Sequence, residues 1–187
     1  MYKEIENEIF DVENIPVVWE DVYSYCKFRN LDLTAIDLSG REFIECEFED
    51  CNISLTRIAG IKMHTVTFRN CRVQGVDFTK IDRLITEMNF NNCQIRECNY
   101  SGLELKGISF LGSEISNTDF INSDLSSAVF RNVNFREVVF HNTDLKKASF
   151  LGAKGYRINP MTNEIKGGIF DLPEVVSFLE YLQITIR

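Results

Sequence analysis

Large apolar residues recur at every fifth position through most of this chain. From Phe28 the series runs Leu33, Leu38, Phe43, Phe48, Ile53, Ile58, Met63, Phe68, Val73 and Phe78. The phase then slips by two residues and resumes at Ile85. It continues through Phe90, Ile95, Tyr100, Leu105, Phe110, Ile115, Phe120, Leu125, Phe130, Phe135, Phe140, Leu145 and Phe150. Twelve of the 15 phenylalanines occupy these centres, so the aromatic content is concentrated where the pattern demands burial. A second small or apolar register lies two residues before each centre, as at Cys46, Cys51, Ala128 and Ala148. The residue just before the centre is often acidic or amide, as at Asp37, Asp77, Asn99, Asp119, Asp124 and Asp144.

A period of five fits neither a helix at 3.6 nor a flat strand at 2. It fits a short extended bridge followed by a turn. Four such units close a square coil, which explains why Phe28, Phe48, Phe68, Phe90, Phe110, Phe130 and Phe150 return every 20 residues, with one interval of 22. Centres and their partners two residues upstream then point inward, and the other three positions face water. Each coil needs its neighbours to cover its apolar faces. About six coils at ~4.8 Å give a rod of roughly 30 Å. Gly40, Gly60 and Gly102 fall at turn positions. The expected fold is an all-β solenoid, with the phenylalanine column as a structural spine and any recognition left to the outward positions, the slip and the C-terminus.

Two flanks break the pattern. Residues 1–22 read as an acidic cap in which Asn14 caps a short helix over Val17, Val18 and Val22. Residues 23–152 are the solenoid, with its slip at 79–84. Residues 153–187 read as a C-terminal cap: a turn at 159–163, then a short α-helix with Asp171 as N-cap and Glu174 completing a capping box. Val175, Phe178, Leu179 and Leu182 share one helical face, and Ile184 and Ile186 alternate after it. That apolar surface exceeds what one coil end needs, so a two-fold, end-to-end homodimer is expected.

Candidate chemistry is sparse. All six cysteines, Cys26, Cys46, Cys51, Cys71, Cys93 and Cys98, sit two residues before a centre, where a small apolar side chain fits. There is no CxxC pair, and His64 and His141 lie far apart on outward positions, which argues against a metal site. A filled rod with no glycine-rich phosphate loop offers no pocket for catalysis, cofactor or small-molecule substrate. Six buried thiols, an acidic N-terminus unlike a signal peptide, and no apolar run near ~18 residues point to the cytoplasm and away from a membrane.

The formal charge is −8 and is unevenly spread. Residues 1–25 hold 7 acidic and 1 basic residue, residues 26–150 hold 17 and 15, and residues 151–187 hold four of each. No basic stripe suggests direct nucleic-acid binding.

The segments "SSAVF", "NTDF", "NSDLSSAVF" and "NTDLKKASF" are close to the A(D/N)LXX consensus, and residues 23–152 resemble the pentapeptide repeat family. The resemblance implies a right-handed quadrilateral parallel β-helix. Within that family "DLSGREFIECEF" (37–48), "CRVQGVDF" (71–78) and "LEYLQITIR" (179–187) resemble Qnr-type quinolone-resistance proteins and their mycobacterial relative. This implies a rod-shaped dimer that binds DNA gyrase or topoisomerase IV as a mimic of duplex DNA and modulates quinolone sensitivity. The slip falls where Qnr-type proteins often carry a projecting loop, although here Thr79–Leu84 add only two residues. The candidate partner-binding residues are Thr79, Lys80, Asp82 and Arg83 at the slip, with Asp119 and Asp124 among the outward carboxylates. The alternative is an interaction scaffold for a different protein, with no topoisomerase role.

Overall fold

The structure is a computed structural model describing residues 3–84, 86–182 and 184. The chain winds as a parallel four-sided solenoid whose short strands stack coil upon coil. Strands β1 (Glu4–Glu6), β3 (Val22–Ser24) and β5 (Glu42–Ile44) form one ladder, and β2 (Ile9–Phe10), β4 (Lys27–Arg29) and β6 (Glu47–Glu49) form the next. Both ladders lead into the eight-residue β7 (Lys62–Arg69), which in turn pairs with β9 (Thr86–Asn91). A separate ladder joins β8 (Arg72–Gln74), β10 (Gln94–Arg96), β11 (Glu114–Ser116) and β12 (Asn134–Arg136). Every pairing is parallel, and the inward positions stack apolar upon apolar: Val73, Ile95, Ile115 and Phe135 are successive partners. The remaining corners are single parallel bridges such as Asp77↔Asn99 and Glu104↔Asp124.

The phenylalanine column is buried throughout. Successive rings from Phe28 to Phe150 stack with centroids 4.6, 5.1, 4.9, 5.4, 5.3 and 4.8 Å apart. The column is longer than the period suggested: Phe10 stacks on Phe28 at 5.1 Å and Phe170 on Phe150 at 5.0 Å. A second column, Phe78, Tyr100, Phe120 and Phe140, stacks at 4.4, 5.1 and 5.3 Å and meets the first edge-on, as at Phe110–Phe120. Parallel stacking along the axis and edge-to-face contact across it are both favourable aromatic geometries.

The register two before each centre has a polar task as well as a size limit. The thiols of Cys46, Cys51, Cys71 and Cys93 donate to the carbonyls of Tyr23, Phe28, Phe48 and Phe68 at 3.3–3.5 Å. Elsewhere in this register Thr56, Thr143 and Asn163 donate likewise to Leu33, Phe120 and Phe140 at 3.0, 2.7 and 3.1 Å. A small donor thus satisfies a buried carbonyl on the preceding coil. The turns need a left-handed residue two after each centre. Gly40, Gly60 and Gly102 supply it at φ 70°, 66° and 70°, and asparagines such as Asn70, Asn92 and Asn132 supply it elsewhere.

Both flanks differ from the sequence reading. No helix covers Val17, Val18 and Val22. Instead β1 and β2 pair with β3 and β4, so coils begin at residue 4. Asn14 closes a tight turn, donating to the Ile9 carbonyl at 2.8 Å and accepting from the Asp11 N–H at 2.7 Å. Pro16 and the β-branched Ile15, Val17 and Val18 disfavour a helix there. At the other end, bridges Asn134↔Lys154, Phe140↔Ile158, Asp144↔Glu164 and Ser149↔Ile169 carry the coil past residue 152. The turn at 159–163 is present, with Thr162 N–H donating to Asn159 O at 3.2 Å. The single terminal helix, Glu174–Leu182, is of the 3-10 kind rather than α. Asp171 does not cap it: its carboxylate accepts from the Gly152 N–H at 2.5 Å instead. Ser177 back-bonds to the Glu174 carbonyl at 2.7 Å, which favours a tight first turn. Ile85 at the slip and Ile186 near the C-terminus lie outside the described residues.

Candidate interaction surfaces

The slip is compact. Phe78–Lys80 form a 3-10 turn capped by Asp77, whose carboxylate accepts from the Thr79 N–H and hydroxyl at 3.1 and 2.6 Å. Ile81 is buried, and Asp82 holds the next corner by accepting from the Leu84 N–H at 2.9 Å. Leu84 protrudes with 92% of its surface exposed. Beside it the stacked wall opens into two shallow hollows of about 200 and 230 Å³, with Thr86, Glu104 and Leu105 common to both.

From that opening an acidic column descends one face: Glu104, Asp124, Asp144 and Glu164 are successive bridge partners. Asp124 and the slip residues Asp82 and Arg83 are therefore brought to the same side of the rod. Asp119 is not; it belongs to the adjoining column of Asp77 and Asn99. The acidic column is partly compensated by Lys146, whose ammonium lies 2.9 Å from Asp144 and 3.9 Å from Glu164. Burial pushes the Asp144 carboxyl up, but the hydrogen bonds from Lys146 outweigh it and the net shift is downward.

Coils nearer the N-terminus neutralise their own charge. Glu47 lies between Lys27, at 3.4 Å, and Arg69, which contacts it directly. Arg29 pairs with Glu49 at 3.1 Å, Arg57 with Asp37 at 3.0 Å and Lys62 with Glu42 at 3.2 Å. The Arg69 hydrogen bond holds the Glu47 carboxyl below its ordinary range. The net acidity gathers at the N-terminal end: residues 1–25 carry seven acidic residues and one basic, whereas residues 26–187 carry 21 and 19.

The C-terminal candidates divide between two environments. Phe178 is buried against Phe170 and Tyr156 of its own chain, at 4.9 and 6.1 Å. Val175 and Leu179 are half-buried, and Leu182 is exposed alongside Val176, Tyr181 and Ile184. One face thus serves both to close the last coil and to leave an apolar remainder outside.

The interior is filled. An internal void of only about 20 Å³ is lined by Phe43, Phe48, Phe68, Phe78 and their aliphatic neighbours. His64 lies 3.0 Å from Glu42, while His141 is exposed in a different coil. No group of three or more His, Cys, Asp or Glu able to hold a metal occurs among the described residues. No described helix is long and apolar enough to cross a membrane.

The pentapeptide repeat region family matches residues 23–84 and 83–155. Among solved structures, a trypsin-treated form of QnrB1, described as a plasmid-mediated fluoroquinolone resistance protein, is 20% identical, with 98% of this chain and 97% of that chain covered and a TM-score of 0.48. HetL, a pentapeptide repeat protein involved in heterocyst differentiation regulation from the cyanobacterium Nostoc sp. strain PCC 7120, is 14% identical, with 86% and 72% covered and a TM-score of 0.40. No curated protein matches this chain.

Proposed function

Because this chain belongs to the pentapeptide repeat family, we propose that it is a non-catalytic interaction rod that binds DNA gyrase or topoisomerase IV in the cytoplasm and modulates quinolone sensitivity. The observation that carries this reading is the acidic column Glu104, Asp124, Asp144 and Glu164 running from the slip. It offers one carboxylate per ~4.8 Å, against one phosphate per ~3.4 Å along each strand of duplex DNA. A surface built to hold a phosphate backbone meets similar charge at similar spacing. Asp124, Asp82 and Arg83 lie on that side, while Thr79 and Lys80 flank it. Asp119 would act from the neighbouring face.

The rod acts as a homodimer joined end to end through Val175, Phe178, Leu179 and Leu182. Leu182, 49% exposed, is the strongest candidate contact, because Phe178 is already engaged within the chain. Direct binding tests the partner. Immobilised protein should capture purified gyrase or topoisomerase IV, and short duplex DNA should compete the enzyme off. Capture unaffected by excess duplex would rule out a shared surface.

A second reading, an interaction scaffold for a different protein, draws support from the ion-paired rows at Lys27–Glu47–Arg69, Arg29–Glu49 and Asp37–Arg57. These coils present near-neutral faces rather than a DNA-like field. Failure to capture either topoisomerase would favour this reading.

A further inference from the structure

The N-terminal end of the rod combines exposed apolar side chains with an excess of acidic charge. Phe10 and Trp19 close the core there. Phe10 lies over Phe28 at 5.1 Å, and Trp19 lies against Tyr23 and Phe28 at 5.6 and 5.5 Å. With those two rings in place, the neighbouring apolar residues have no role in closing the coil. Yet Val17 is 99% exposed, Val12 70%, Val18 69%, Ile9 48% and Ile15 37%, all within ten residues. Isolated exposed apolar side chains are ordinary, but five together at an open end mark a contact surface.

The charge around this patch says what it contacts. The carboxylates of Glu6, Glu8 and Glu13 have no cationic or hydrogen-bonding partner among the described residues. Of the bases nearby, Lys3 is committed to Glu20 at 2.5 Å, and Lys27, the strand partner of Ile9, to Glu47 at 3.4 Å. We propose that this end is a docking site for a basic amphipathic segment of a partner protein, with apolar side chains covering Val12, Val17 and Val18 and lysines or arginines answering the acidic rim. This docking site is separate from the acidic column Glu104, Asp124, Asp144 and Glu164 and does not depend on which protein that column engages.

Other occupants fit poorly. Two copies meeting through their N-terminal ends would set like charge against like. The C-terminal end of another copy carries four acidic and four basic residues over 151–187, so it offers no complementary field. An anionic membrane surface and a nucleic acid share the sign of the patch and are repelled. A basic amphipathic segment satisfies both halves of the surface, as in other groove-binding helices with apolar anchors.

The test uses the full chain and two fluorescent peptides of about 18 residues. One is an amphipathic helix of lysine and leucine; the other replaces each leucine with serine at equal charge. Anisotropy at about 0.15 M salt should show binding of the first peptide, with the second at least about tenfold weaker. The double variant Val17→Ser/Val18→Ser should weaken the first peptide about tenfold or more. Glu6→Gln/Glu8→Gln/Glu13→Gln should weaken it and flatten its salt dependence. Met161→Ser, at an exposed apolar residue remote in sequence, should leave binding unchanged. No binding at about 100 µM protein overturns the proposal. Equal affinity of the wild type and the Val17/Val18 variant does so too, since it reduces the contact to diffuse charge attraction. Circular dichroism of each variant confirms that the coil is intact. A negative topoisomerase capture leaves this outcome untouched, so the two claims fail separately.

Discussion

Tyr100 places a hydroxyl where the fold has no use for one. Its ring fills the second aromatic column, stacked on Phe78 at 4.4 Å and Phe120 at 5.1 Å, and it is fully buried. The Oη atom has no hydrogen-bond partner, and burial drives the phenol far above its ordinary pKa. Tyr100→Phe removes only that oxygen and keeps every ring contact. An orphaned buried hydroxyl costs roughly 1–3 kcal/mol. The space left behind, about 10 Å³, costs only ~0.2 kcal/mol. The variant should therefore be more stable by about 1–3 kcal/mol. For a chain of this length that is a rise in Tm of about 2–12 °C, read by thermal circular dichroism and by urea titration. An unchanged or lower Tm would refute the reasoning and point to a buried water or a donor that satisfies the oxygen.

Four further outcomes follow from the same structure. Phe110→Asp should unfold the rod, because it buries an unpaired carboxylate between Phe90 and Phe130 at 5.4 and 5.3 Å with no path to water; a cooperative melt like that of the wild type would refute the inward assignment. Native thiols should resist aromatic disulfide reagents at pH 8, since all six are buried away from the reagent and burial also pushes Cys46 to about 12 and Cys98 to about 11, although the Cys71 hydrogen bond lowers Cys93; all six should react in urea. Glu47 has its folded pKa depressed below the reference 4.5 by Arg69 and then Lys27, so its contribution is present above about pH 4.5 and lost as pH falls through the folded value; Glu47→Gln should flatten the stability loss between pH 5 and 3, by well under ~1 kcal/mol for so accessible a pair. Leu182→Arg should give a folded monomer by light scattering, and a persistent dimer would place the interface elsewhere.

The apolar period carried most of the fold. A spacing of five leaves little choice about which residues point inward, so the columns and the two-residue slip were legible from Phe28 to Phe150. Phe170 continues the same 20-residue interval, but the irregular stretch around Tyr156 and Ile158 hides it. Phe10 stands 18 residues before Phe28 and so falls out of phase. The hydrogen-bonding task of the cysteine register was invisible for a different reason: size alone accounts for Cys and Ala, and only the geometry reveals the carbonyl waiting 23 residues upstream. At the C-terminus, apolar spacing suggested one helical face but could not divide it. Tertiary contact assigns Phe178 inward to Phe170 and leaves Leu182 out. The candidate surfaces were the least legible. Outward residues need only stay soluble and turn the corner, so the repeat places few demands on them. The slip residues stood out because they interrupt it, whereas the exposed valines near Pro16 passed for the start of a helix.

The claim that this rod meets a topoisomerase through its acidic column is tested most directly by gyrase supercoiling, run with and without a quinolone. The wild type should inhibit supercoiling or protect it from the drug at micromolar protein. Glu104→Lys/Asp124→Lys, folded by circular dichroism, should lose that effect. Supercoiling and drug sensitivity indifferent to the wild type, or equally altered by the charge-reversed variant, would contradict the account.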